Sequence, residues 1–200
     1  MSESMITKRA IAQSIKELMK REDLRKISVA EIVQNCGINR QTFYYHFKDK
    51  YDLVNWIYYN EVVSAISSQK SFHDWNDVML EILNIMKREK CFYRNALNVT
   101  GQNAFQDYFF SLTKSLLIEI INAMDGGKGL KEEDKNFIAE FYTFGLVGVV
   151  IQWARNGMKE QPKELVDKLK YFINDNKWFT TARCLDKIAG EAENRQRPKL

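Results

Sequence analysis

Seven consecutive residues, Arg40-Gln41-Thr42-Phe43-Tyr44-Tyr45-His46, gather the side chains of this chain best suited to reading a polyanion. On a helix, Phe43 and Phe47 lie four apart and turn to one side with Ile38. Arg40, Gln41, Thr42, Tyr44, Tyr45 and His46 are left on the other side. A guanidinium or carboxamide pairs with base edges in a major groove, while hydroxyls and cations beside it bind phosphate. The bland alternative is that Tyr44 and Tyr45 only rim a small helical core. Which bases are read does not follow from the residue types.

The chemistry of this segment is recognition rather than catalysis. His46 and His73 stand in no H-E-x-x-H arrangement, and neither G-x-S-x-G nor G-x-x-x-x-G-K-[ST] occurs. Gly126-Gly127-Lys128-Gly129 lacks the spacing of a phosphate loop. No enzyme, cofactor or metal site is expected. Cys36, Cys91 and Cys184 are odd in number and far apart, as reduced thiols of a cytosolic protein would be. Residues 1–20 carry no apolar signal region, and the run Gly145–Ile151 is too short to span a bilayer. The expected location is the cytoplasm, with no membrane partner.

Charge points to the same end of the chain. The formal net charge is +4. Residues 1–50 hold ten Lys and Arg against six Asp and Glu, so the whole excess lies there and 51–200 is balanced. A basic end on a neutral body fits a polyanion-binding module joined to another kind of domain.

The recognition segment needs a frame. Residues 7–21 read as an amphipathic helix with Ile11, Ile15, Leu18 and Met19 on one face and Lys8, Arg9, Lys16 and Lys20 largely off it. Those lysines fit a solvated face or phosphate contacts. Ser28-Val29-Ala30-Glu31 is a capping box that opens a short helix, and Gly37 ends it. Asn39 caps the helix of Arg40–His46, and Asp49 with Asp52 starts another that runs to about residue 67. Two short helices joined at a glycine make a helix-turn-helix.

The run Gly37-Ile38-Asn39-Arg40-Gln41-Thr42-Phe43-Tyr44-Tyr45-His46-Phe47-Lys48-Asp49-Lys50, with Asp52-Leu53 behind it, resembles the signature of TetR-family regulators. The resemblance covers about residues 8–55. It implies phosphate contacts from Ser28, Tyr44 and Lys50. It also implies that Arg40, Gln41, Thr42 and Tyr45 face the groove, with His46 at its edge. Val29-Ala30 offers no polar side chain early in the supporting helix, so base reading rests on Arg40–His46.

Past residue 70 helices are expected over about 72–90, 103–124, 131–156 and 162–186, with a short aromatic segment, Cys91 to Val99, between the first two. With few breakers and only two prolines, Pro162 and Pro198, an all-α fold of about nine helices is expected. Residues 1–50 form a three-helix helix-turn-helix domain. Residues 51–187 form an antiparallel helical domain for dimerisation and for an effector or partner, and 188–200 form a polar tail. Cys91-Phe92-Tyr93-Arg94 and Phe141-Tyr142-Thr143-Phe144-Gly145-Leu146-Val147-Gly148 are similar to the subgroup of the dihydroxyacetone-kinase operon activator, where control comes through a protein co-activator.

The aromatics of the body read mainly as core. An apolar pocket between helices, lined by Phe92, Tyr93, Phe105, Tyr108, Phe109 and Tyr142, is the other reading. Gly145 and Gly148 fit close packing within the subunit, or a homodimer face made by the last two long helices, as the family implies. Phe141, Gly145, Gly148, Gln152, Leu169 and Phe172 are its candidate residues. The partners expected are double-stranded DNA with a (pseudo)palindromic operator, a second copy, and a small-molecule effector or protein co-activator. DNA affinity is expected to be controlled through the body.

Overall fold

Ile11, Ile15 and Met19 recur at the spacing of one helical face, and helix α1 (Glu3–Met19) buries all three. This is a computed structural model, and it describes residues 3–64, 75–101, 105–125 and 130–171. Helix α1 begins four residues before the expected start. Nothing in 3–7 breaks a helix, Glu3 suits its positive end, and the Thr7 hydroxyl bonds back to Glu3 O at 3.1 Å.

Local chemistry sets the next three helices. In α2 (Val29–Cys36), Ser28 Oγ accepts from the Glu31 amide at 3.3 Å and Glu31 Oε2 accepts from the Ser28 amide at 2.7 Å. Gly37 then adopts φ 71°, a left-handed turn that ends α2. Asn39 Oδ1 accepts from the Thr42 amide at 2.7 Å and opens α3 (Arg40–His46). Asp49 Oδ1 accepts from the amides of Tyr51 and Asp52 at 2.7 and 2.8 Å and opens α4 (Lys50–Tyr58).

The helix expected over 49–67 departs from regularity. Tyr59–Val63 form a π turn, and the described residues end at 64. Val62 in this turn is fully buried, while its neighbour Glu61 reaches Lys16 on α1. The wider turn places both side chains where an unbroken α-helix would aim them differently.

The body is helical throughout its described residues: α5 (Trp75–Arg88), α6 (Lys90–Asn98), α7 (Phe105–Asp125), α8 (Glu132–Arg155) and α9, helical over 162–171. The aromatic segment expected between the helices of 72–90 and 103–124 is itself α6. Glu132, Glu133 and Asp134 stand at the N-terminus of α8. Gly157 at φ 81° follows its end. The polar tail and the later part of the helix expected over 162–186 lie outside the described residues.

Helix α7 runs against α8, and α6 is wedged between α8 and α1. Helix α4 also touches α7. One buried cluster therefore continues from Ile11 to Leu169. By length and composition α8 is apolar enough to cross a membrane. It packs Ala139, Leu146, Val147, Val150 and Trp153 into the protein instead.

Candidate nucleic-acid interface

Helix α3 is divided as its sequence suggests. Phe43 is fully buried, and Phe47 beyond its end is nearly so. Arg40, Gln41, Tyr44 and Tyr45 are exposed, Tyr45 by 82%, and Thr42 and His46 are half-buried. The rings of Tyr44 and Phe43 meet nearly at right angles with centroids 5.4 Å apart, so Tyr44 is braced although it is exposed. Thr42 Oγ1 gives its proton to Asn39 Oδ1 at 3.0 Å. Thr42 therefore offers a groove its methyl and an acceptor oxygen rather than a donor.

His46 packs against Tyr45 and Phe47. Desolvation, with the Lys8 charge second, lowers its pKa from the ordinary imidazole value. Lys8 itself lies over the rings of Phe47 and Trp56, 5.8 Å from each centroid. The lysine therefore lies over the recognition helix's own supports.

Ser28 is exposed at the start of α2, but its hydroxyl proton goes to Glu31 Oε2 at 2.6 Å. That bond holds the Glu31 carboxyl below its usual range. A phosphate there must meet the backbone N–H groups of Val29 and Ala30 or turn the Ser28 hydroxyl away from Glu31. Lys50 is also engaged: its Nζ donates to Arg25 O at 2.9 Å and Ile27 O at 2.6 Å. Burial lowers the pKa of its ammonium.

Two polar residues hold the recognition end to the body, Lys16 in a role other than the expected one and Asn95, which the sequence did not single out. Lys16, expected on a largely solvated face, is only 7% exposed. It pairs with Glu61 at 2.7 Å and Glu89 at 3.5 Å and lies over the Phe92 ring. Asn95 on α6 bonds the chain around residues 19–24. No pattern near either residue reveals these partners.

In the body, Phe92, Tyr93, Phe105 and Phe109 are buried against one another and Tyr58, and Phe105 stacks on Phe109. Burial pushes the hydroxyls of Tyr58 and Tyr93 far up. Of the six aromatics considered for a pocket, Tyr108 borders a groove of about 370 Å³ that Asn55 and Ser111 also line. Tyr142 is half-buried beside Phe141.

The dimer candidates separate. Phe141, Gly145, Gly148 and Gln152 lie exposed on one face of α8, and Phe137 and Phe144, missed in the sequence, are exposed along the same face. Among the described residues a Cβ at Gly145 or Gly148 would meet nothing within 4 Å, so neither glycine serves packing between them. Leu169 is buried in its own protomer rather than offered to a partner. Phe172 lies outside the described residues.

Residues 11–57 match the model described as bacterial regulatory proteins, tetR family. Residues 73–175, more than half of the chain, match that of a transcriptional regulator C-terminal region. The HTH-type dhaKLM operon transcriptional activator DhaS of Lactococcus lactis is 31% identical over 121 residues, 60% of this chain and 64% of that protein. The match thus spans a little under two thirds of that relative. The solved structure of dihydroxyacetone kinase operon activator DhaS superposes with a TM-score of 0.66 at 22% identity, covering 86% of this chain and 96% of that one. NalD of Pseudomonas aeruginosa, the secondary repressor of the MexAB-OprM multidrug efflux pump, gives 0.55 at 15% identity over 84% and 94%. The fatty acid degradation regulator FadR of Bacillus halodurans gives 0.55 at 15% over 81% and 91%. The chain belongs to the TetR family of bacterial transcriptional regulators, with a C-terminal region like that of DhaS.

Proposed function

We propose that this protein is a cytoplasmic homodimer that binds a (pseudo)palindromic DNA operator through α3. Residues 1–50 are the DNA-binding head and 51–187 the dimerisation and regulatory body. The observation that carries this reading is the exposed row Arg40, Gln41, Tyr44 and Tyr45, rigidly backed by buried Phe43 and Phe47. Arg40, Gln41, Thr42 and Tyr45 enter the major groove with His46 at its edge, and Ser28 and Tyr44 meet the backbone. The exposed aromatic stripe of α8 gives a second copy its docking face, so that two heads meet two half-sites.

DNA selection from a random library tests the reading, followed by binding measurements with Arg40→Ala and Tyr44→Ala. Loss of binding with an intact dimer is expected. Full binding by both variants would sink the assigned face. Binding should also weaken steeply with salt.

A second reading concerns control. Four of the six aromatics that would line a pocket fill the interior with each other, which favours regulation by a protein co-activator over a small-molecule effector. DhaS is an operon activator by name, which favours activation over repression as the outcome here. Co-purification of a partner that raises operator occupancy supports this route. A small metabolite that changes DNA affinity in the pure protein goes against it.

A further inference from the structure

The loop between α1 and α2 is held from two directions by side chains far away in sequence. From the body, Asn95 Nδ2 donates to Met19 O at 3.2 Å and Glu22 O at 2.6 Å, and its Oδ1 accepts from the Leu24 amide at 2.8 Å. From the start of α4, Lys50 Nζ donates to Arg25 O and Ile27 O. Between them the Arg25 guanidinium clamps Asp23 with bonds of 2.9 and 2.6 Å, and these hold that carboxyl at about 2. Leu24 and Ile27 are buried anchors of the same stretch. The next residue is Ser28, the cap of α2.

We propose that residues 19–28 form a strap, gripped by Asn95 from the body and by Lys50 from α4, that sets where the start of α2 meets DNA. This inference rests on the DNA-binding reading above. Lys50 is then a positioning residue: two of its three N–H groups go to carbonyls, and its charge is not spent on a phosphate. Asn95 is the second positioning residue. It sits on α6, which also packs on α8, so a displacement of α6 is delivered to Ser28 along a segment with little slack.

The test uses the full-length protein and a selected operator. Lys50→Met and Asn95→Leu should each weaken binding by about tenfold. The slope of affinity against salt should not change, and Lys50→Arg should regain most of the loss. The double variant should lose far less than the product of the two, because both act through one strap. A slope reduced by about 0.9 in Lys50→Met would place the ammonium on a phosphate and overturn the proposal. Fully multiplicative losses would overturn it as well.

A second arm needs no DNA. Hydrogen exchange in Asn95→Leu should quicken at the Lys26 and Ile27 amides, which bond to Asp23 O and do not touch Asn95. Quickening confined to Leu24 would overturn the strap. If Asn95→Leu does not fold, Asn95→Asp keeps the acceptor for Leu24, loses both donors and is read in the same way. Should selection return no DNA sequence, the functional reading fails while exchange still decides the strap.

Discussion

Lys16 Nζ lies 2.7 Å from Glu61 across the junction between α1 and the π turn, and Glu89 completes the pair from just before α6 at 3.5 Å. The three partners are unequally exposed. The Lys16 side chain is 8% exposed, while those of Glu61 and Glu89 are 37% and 43%. Removing the lysine leaves carboxylates that water can reach. Removing Glu61 leaves a buried cation with one distant partner. Glu61→Gln is therefore expected to destabilise by about 1–3 kcal/mol, and Lys16→Met by less. Denaturant unfolding of the two variants checks the order, and a larger loss for Lys16→Met would contradict it.

What could be read from the sequence divides along the distance between partners. Ser28 and Glu31, or Asn39 and Thr42, are three residues apart, and each pair announces its helix end by residue type alone. The two faces of α3 were legible for the same reason, since Phe43 and Phe47 mark the inner side. Lys16 was not legible, because nothing beside it points to a carboxylate 45 residues on. Asn95 has its partners over 70 residues away, in backbone groups that carry no sequence signal. The π turn was equally hidden, as the surroundings of its buried Val62 and paired Glu61 are tertiary. Leu169 read as a partner contact because an apolar residue on a terminal helix suits either side, and only packing decides.

At the recognition helix, the Asn39 carboxamide oxygen serves both the Thr42 amide and the Thr42 hydroxyl. Asn39→Ala should cost about 1 kcal/mol of stability from the lost cap. It should also free the Thr42 hydroxyl to donate, which alters which base is accepted opposite it. Thermal unfolding and a repeated operator selection separate these effects. An unchanged base preference would show that Thr42 meets the groove through its methyl alone. Arg40→Ala, by contrast, should relax discrimination at one position by about 1–3 kcal/mol if the guanidinium pairs with a guanine.

His46 gives a pH dependence whose sign differs between folding and binding. Desolvation favours its neutral form in the folded chain. The unfolded chain thus takes up the proton first. This contribution to stability is present above about pH 6.5 and is lost as pH falls. In the proposed complex the preference reverses, because a DNA phosphate near His46 would favour the imidazolium. Operator affinity should therefore rise as pH drops below 6.5 at constant salt, and His46→Gln should flatten that rise. A rise that persists in His46→Gln assigns it to another group.

The glycines of α8 give a test of the proposed dimer. Among the described residues, Gly145 and Gly148 face open space, so an added methyl meets nothing there. In a helix interior, alanine is favoured over glycine by about 0.5–1 kcal/mol. A protomer acting alone would gain that amount from Gly145→Ala or Gly148→Ala. If the aromatic stripe of α8 takes a second copy at close backbone approach, the same methyl pushes the two helices apart. The variants should then unfold at a higher temperature under dilute, monomeric conditions and dissociate at a higher protein concentration. Sedimentation equilibrium with thermal unfolding at several concentrations reads both. Phe141→Glu, which buries a charge in the same face, should dissociate the dimer outright. If Gly148→Ala stabilises the protein equally at every concentration, the glycines stand outside the interface, and the contact must centre on Phe137, Phe141 and Phe144 instead.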